Sequence, residues 1–154
     1  MKNLILLLTF WLTTSIGFSQ NLDGYKRIYK YGEYQKDWAL VKSITGNYGF
    51  IDQNGKQVVP TIYAIIGKFT ENSGEFAKVK SITGNYGLID RNGKEVVPTL
   101  YARIGKFGEY ANDIALVKTI TGKYGFINQN GVEIVEPKYE LKEIKRNFKK
   151  IYGG

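Results

Sequence analysis

Asp52 and Asp90 stand 38 residues apart in almost the same words, "YGFIDQNGK" and "YGLIDRNGK". Two carboxylates at a fixed separation are what acid–base cleavage of a glycosidic bond requires. The third copy of the phrase, "YGFINQNGV", carries Asn128 at that place, so the acid is not a constant of the pattern. Acids that recur with a chain period occupy equivalent turns and need not converge on one substrate. A simpler chemistry suits Asp and Asn alike: a side-chain oxygen accepts a backbone N–H and closes a hairpin turn. "DQNG" and "DRNG" also share a fragment with a calcium loop. That loop needs further acids and a closing Glu, whereas Lys56 and Lys94 follow here at once.

The chain has no His and no Cys. Ser-His-Asp and Cys-His nucleophiles are therefore excluded, as is zinc held by His or Cys. No G-x-G-x-x-G occurs, and no glycine-rich phosphate loop precedes a helix. The expectation is a protein that is not an enzyme, with no catalytic, cofactor-binding or metal-ligating residue. What the chain has in quantity is aromatic rings: 12 Tyr, 8 Phe and 2 Trp. Rings that keep the period (Tyr48, Tyr63, Phe69 and their equivalents) are expected in the core. The less regular Tyr29, Tyr34, Trp38 and Tyr110 are the candidate ligand surface, because exposed rings can stack against sugars.

The elements that position these residues follow from the repeat. Tyr48, Tyr86 and Tyr124 fall at a constant step of 38, each followed by a glycine, Gly49, Gly87 and Gly125. Asn54-Gly55, Asn92-Gly93 and Asn130-Gly131 keep the step, as do Tyr63, Tyr101 and Tyr139. One step further back, Tyr25, Ile28, Lys30 and Tyr31 match Tyr63, Ile66, Lys68 and Phe69. A period in the range of about 20–50 residues marks an array of units that cannot bury their apolar faces alone. Within a unit, "ALVKSI" and "YGFID" read as strands joined by a turn at "TGN". "QNG" is a hairpin signal, since Asn and Gly both accept positive φ. "KQVV" returns, and Pro60, with no N–H to donate, is expected to end pairing. Tyr63, Ile66 and Phe69, spaced by three, read as a loop or short helical turn that anchors rings in the core. Glycine after a large ring is expected where backbone approaches closely, leaving room for a ring from a neighbouring strand or unit.

The phrases "YGFIDQNGKQVVPTIY", "YGLIDRNGKEVVPTLY" and "YGFINQNGVEIVEPKY" resemble the bacterial WG repeat, also called the KWG repeat, over about Tyr25 to Tyr139. Tyr replaces the namesake Trp in all three copies, and Pro137 comes one residue later than the step from Pro98 requires. The resemblance implies an extracytoplasmic or secreted β-repeat scaffold with no general activity assigned. The expected architecture is all-β, a repeat array of short antiparallel hairpins with about three strands per unit. It comprises a partial unit over 25–38, units over 39–76, 77–114 and 115–139, and a C-terminal cap over 140–154.

The ends of the chain differ from the array. Lys2, the apolar run "LILLLTFWL" and the small residues of Gly17-Phe18-Ser19 make residues 1–19 a secretory signal peptide. Residues 20–154 then form a single domain, secreted or periplasmic, with no membrane span after cleavage. Without a Cys there is no lipoprotein anchor, and no disulfide to hold the fold. The formal charge of +8 has a concentration in the tail, at Lys138, Lys142, Lys145, Arg146, Lys149 and Lys150. Export argues against a nucleic-acid partner, and the basic face suits attraction to acidic envelope polymers. Leu141, Ile144, Phe148 and Ile151 share one helical face, so an amphipathic helix is expected to cover the last unit. The expected partner is a protein, or an envelope polysaccharide if the module is lectin-like. Mass spectrometry of the exported protein should find Gln20 at its N-terminus; recovery of an intact Met1 chain embedded in membrane would refute the cleavage.

Overall fold

The computed structural model describes residues 24–71 and 74–153, so the signal segment expected over 1–19 lies outside the described residues. Ten strands and one helix follow in order. They are β1 (Tyr25–Ile28), β2 (Trp38–Ser43), β3 (Tyr48–Asp52), β4 (Gln57–Ile66), β5 (Phe76–Ser81), β6 (Tyr86–Asp90), β7 (Glu95–Ile104), β8 (Ile114–Thr119), β9 (Tyr124–Asn128), β10 (Glu133–Tyr139) and α1 (Leu141–Tyr152). The strands form one sheet in chain order, every neighbouring pair antiparallel. The all-β array is therefore as expected, with each unit's opening strand starting one residue before the expected boundary, at Trp38, Phe76 and Ile114.

Both kinds of turn are closed by local side chains. Asp52 accepts the backbone N–H groups of Asn54 and Lys56, each at 2.9 Å, and Asp90 does the same for Asn92 and Lys94. Asn128 takes the same role at 3.0 Å toward Asn130 and Val132. This explains why the position alternates between Asp and Asn: the turn needs an acceptor oxygen and is indifferent to its charge. At the other end of the strands, Ser43, Ser81 and Thr119 accept the N–H of Asn47, Asn85 and Lys123.

Two expectations about the link between units need correction. Pro60 does not end pairing, because β4 runs through it for ten residues. Tyr48 pairs with Tyr63 and Phe50 with Val59, so two steps along β3 span four along β4. The surplus is a bulge at Pro60–Ile62, where a missing N–H leaves no ladder bond unmade. The same bulge recurs between Val97 and Tyr101 and between Val135 and Tyr139. In the third copy it contains Pro137 and absorbs that residue's one-place shift. Tyr63 and Ile66 accordingly lie on β4 rather than in a loop, and Phe69 begins a short 3₁₀ turn. The bulge bends the strand, so its first half pairs with β3 and its second half with β5.

The bulge also corrects the reading of the glycines. A Cβ on Gly49 would fall onto the carbonyl oxygen of Val59 and within 2.8 Å of the Pro60 carbonyl carbon. Gly87 and Gly125 meet the backbone of Val97 and Val135 in the same way. The space is needed for the bulged backbone of the adjacent strand, not for a ring.

Neighbouring units bury each other. Phe50 and Ile51 are adjacent, point to opposite faces, and are both fully buried. Ile51 packs with Ala39 and Val41 beneath Tyr25, Ile28 and Tyr31 of the partial first unit. Phe50 joins Val59, Tyr63, Ile66 and Phe69 in a core shared with Ala77, Val79 and Ile89 of the next unit. Leu88 repeats this with Ala115, Val117 and Ile127. Phe126 has no following unit, and Ile144, Phe148 and Ile151 of α1 take that place. The helix is started by Glu140, whose backbone N–H donates to the Glu143 carboxylate at 2.7 Å. The capping helix read from the tail is thus present.

Two stability predictions follow. Gly93 and Gly108 share φ of +82°, but a Cβ at Gly93 lies 2.9 Å from Val59 Cγ2 of the preceding unit, whereas none lies within 4 Å at Gly108. Gly93→Val should cost on the order of 1–3 kcal/mol more than Gly108→Val; equal melting temperatures would overturn the inter-unit contact. Removing residues after Glu140 should lower the melting temperature or cause aggregation, and Ile144→Ala alone should cost about 2–4 kcal/mol. A truncated chain that stays monomeric and melts unchanged would show that α1 is no cap.

Candidate functional site

The four rings expected to form one ligand surface do not do so. Trp38 is 8% exposed and packs between Phe50, at 5.4 Å, and Phe69, at 6.2 Å. It belongs to the first junction core, because it opens β2 on the face that meets the next unit. Tyr29, Tyr34 and Tyr110 are half-buried. Tyr34 leans on Phe50 with ring centroids 5.5 Å apart, and Tyr110 on Phe126 at 5.3 Å. Tyr29 and Tyr34 share a concavity with Tyr48, whereas Tyr110 lines another on the last unit. Sequence spacing identified them as irregular; it carried no information on which irregular rings the junction cores would use.

The periodic tyrosines also divide. Tyr63 and Tyr101 are buried, as expected of core rings, but Tyr48, Tyr86 and Tyr124 are only half-buried. Lys42, Lys80 and Lys118 hold their ammonium groups 5.1, 5.3 and 5.6 Å from the centroids of Tyr48, Tyr86 and Tyr124. A hydrogen bond from Lys42 holds the Tyr48 phenol below its ordinary pKa, helped by one from Tyr29.

These tyrosines border a concavity that recurs with the units. The first is lined by Tyr29, Tyr34, Leu40, Tyr48, Ala64 and Ile65 and has a volume of about 300 Å³. The second, about 710 Å³, includes Lys78, Tyr86, Arg103, Lys106 and Glu109. The third, about 140 Å³, includes Arg103, Glu109, Tyr110, Leu116, Tyr124 and Lys145. The second and third share Arg103, Gly105 and Glu109.

A second surface feature was not anticipated. Ile44, Ile82 and Ile120 sit in the turns after β2, β5 and β8 and are 74%, 71% and 72% exposed. Ile62 and Leu100, in the bulges, are exposed as well. Cross-strand partners connect these places: Tyr48 to Tyr63 to Ser81, then Lys80 to Tyr86 to Tyr101 to Thr119. The turns therefore lie along one rim of the sheet. The available signal was an isoleucine repeated inside a turn, in "SITG", "SITG" and "TITG", where no core position calls for it.

The turn glycines and the polar contacts between units are structural. The φ values at Gly55, Gly93 and Gly131 are +76°, +82° and +77°, as the Asn-Gly signal requires. The Tyr63 hydroxyl meets the Glu95 carboxylate at 3.3 Å, and Tyr101 donates to Glu133 at 2.9 Å. Among the described residues, no group of three or more acidic side chains is placed to hold a metal ion, and no helix is long and apolar enough to cross a membrane.

The model of the WG containing repeat matches residues 48–81, 86–124 and 124–141. The chain belongs to the WG repeat family. Its three matches cover the ring-glycine strands, the Asn-Gly turns and the bulged strands that build each junction. No curated protein and no solved structure matches this WG repeat chain. The family accounts for the array and leaves the concavities and the rim to this chain's own residues.

Burial, reinforced by Glu95, pushes the Tyr63 phenol up to about 12. Burial and Glu133 raise Tyr101 in the same direction. A raised folded-state value favours the neutral phenol, so this stabilisation is complete below the unfolded value near pH 10 and is lost as pH rises through the folded one. Between about pH 9 and pH 11.5, the double variant Tyr63→Phe/Tyr101→Phe should lose roughly 2–4 kcal/mol less stability than the parent chain, the lower end allowing for solvent screening. Identical losses in denaturant titrations would show that these phenols do not sense the junctions.

Proposed function

We propose that this WG repeat protein is an exported, non-enzymatic binding scaffold of the bacterial envelope. The carrying observation is the rim. Three equivalent isoleucines stand exposed at a constant chain step, in turns whose own geometry is secured by Ser43, Ser81 and Thr119. Exposed apolar residues that keep a repeat, while buried positions keep theirs, favour a surface used for contact with another molecule. The export part rests on the Lys2 to Ser19 segment. The non-enzymatic part rests on the absence of His and Cys from the sequence and on the local turn-capping role of Asp52 and Asp90.

The test is cross-linking of the tagged mature protein in envelope extract, compared with the triple variant Ile44→Ser/Ile82→Ser/Ile120→Ser. A protein partner retained by the parent and lost by the variant, at equal melting temperature, supports the scaffold. Identical captured sets would remove the rim as its binding surface, and an unprocessed cytosolic chain would remove the envelope role.

A further inference from the structure

The second and third concavities lie side by side along the second and third units, with Arg103, Gly105 and Glu109 in the walls of both, and make a groove of two adjoining parts. Its chemistry departs from the repeat that builds it. Lys78 stands where the first and third units have Leu40 and Leu116. Arg103 stands where the first full unit has Ile65 and the tail has Leu141, although the partial first unit has Arg27 at the same register position. The equivalent groove of the first unit keeps the apolar pair, Leu40 and Ile65, and still folds. The array therefore does not need cations at these two places, yet both face the same groove. Lys78 is held at the wall by donating to the Ile104 carbonyl at 2.7 Å. The exposed Lys106 and Lys145 add charge, Lys145 from the α1 side, against the single carboxylate of Glu109.

Rings complete the surface. Tyr86 lines one end of the groove, and Tyr110 and Tyr124 the other, all half-buried. A half-buried tyrosine offers an apolar body and a polar tip to a flat ligand. An arginine fork matches a carboxylate, and lysines add less directional attraction. Cations beside rings suit a chain of pyranoses that carry carboxylates: acid groups meet Arg103 and the lysines, and C–H groups meet the ring surfaces that Lys80 and Lys118 leave uncovered.

We propose that the groove from Lys78 to Lys145 binds a segment of an acidic polysaccharide built of sugar acids. This deepens the reading as a binding module by naming a ligand class, and rests on that reading alone. It does not depend on the isoleucine rim or on export, because the groove's residues are present in the purified mature chain.

Calorimetry with polygalacturonate as the probe tests it, with dextran as the neutral glycan and inorganic polyphosphate as the ringless polyanion. The parent should bind polygalacturonate and prefer it to both others. The double variant Lys78→Leu/Arg103→Ile restores the residues of the first full unit, so it should fold, with a melting temperature lowered by no more than loss of the Lys78–Ile104 hydrogen bond accounts for. It should bind polygalacturonate about tenfold or more weakly. No binding by the parent overturns the ligand class. Unchanged affinity in a folded double variant overturns the site. Polyphosphate bound as tightly as polygalacturonate shows a general anion surface and overturns the sugar component. Should the double variant fail to fold, Arg103→Gln, on the exposed side of β7, must show the weakened binding alone for the proposal to stand.

Discussion

A strand buried on both faces governs this molecule. In β3, β6 and β9 the successive residues Phe50-Ile51, Leu88-Ile89 and Phe126-Ile127 point to opposite sides and are fully buried. One three-stranded unit can cover neither side by itself. The only arrangement that removes both from water places a further unit, or a substitute for one, on each face. The interior therefore consists of four successive cores rather than one. Tyr25, Ile28 and Tyr31 close the first end, and α1 closes the last. Each substitute is shorter than a unit because it has one face to cover.

Passing from one junction to the next requires a strand that serves two units, and backbone geometry decides how. The bulge after Val59, Val97 and Val135 bends β4, β7 and β10, so that β4 and β7 leave their own hairpins to pair with the first strand of the next unit, while β10 leads into α1. Its carbonyls then press against the preceding strand where a side chain would stand. Gly49, Gly87 and Gly125 are the consequence. The turn glycines face a second demand of this kind, since Gly93 and Gly131 carry positive φ and also lie against Val58–Val59 and Val96 of the preceding unit. One residue type thus answers conformational and steric constraints together.

Polar chemistry is distributed by the same logic. Asp52, Asp90 and Asn128 are consumed by their own turns, and Tyr63 and Tyr101 link successive units through Glu95 and Glu133. Lys78 and Arg103 mark places where the second unit differs from the first full unit, and both line one groove, Lys78 while donating to the Ile104 carbonyl. The exposed isoleucines are the opposite case, a repeated choice at a place where burial cannot be the reason. Architecture explains neither, which is why the functional proposals rest on them.

The sequence by itself determined the period, the strands, the Asn-Gly hairpins, the partial first unit and the helix over the last. All of these depend on local spacing and on which residues accept positive φ or a 3.6-residue face. It also contained the answer to Asp52 and Asp90, because an acid that alternates with Asn is working as an acceptor. Tertiary structure decided the rest. Trp38 became core because its strand opens onto the next unit, a contact between residues distant in the chain. Pro60 remained in a strand because a bulge needs no N–H there. The glycine after each tyrosine makes room for a carbonyl ten residues on, and no local rule distinguishes that from room for a ring. Lys78 and Arg103 lie 25 positions apart in sequence, and only the stacking of units places them in one groove. Local pattern reports which elements form; which side chains meet depends on the angle at which those elements are joined.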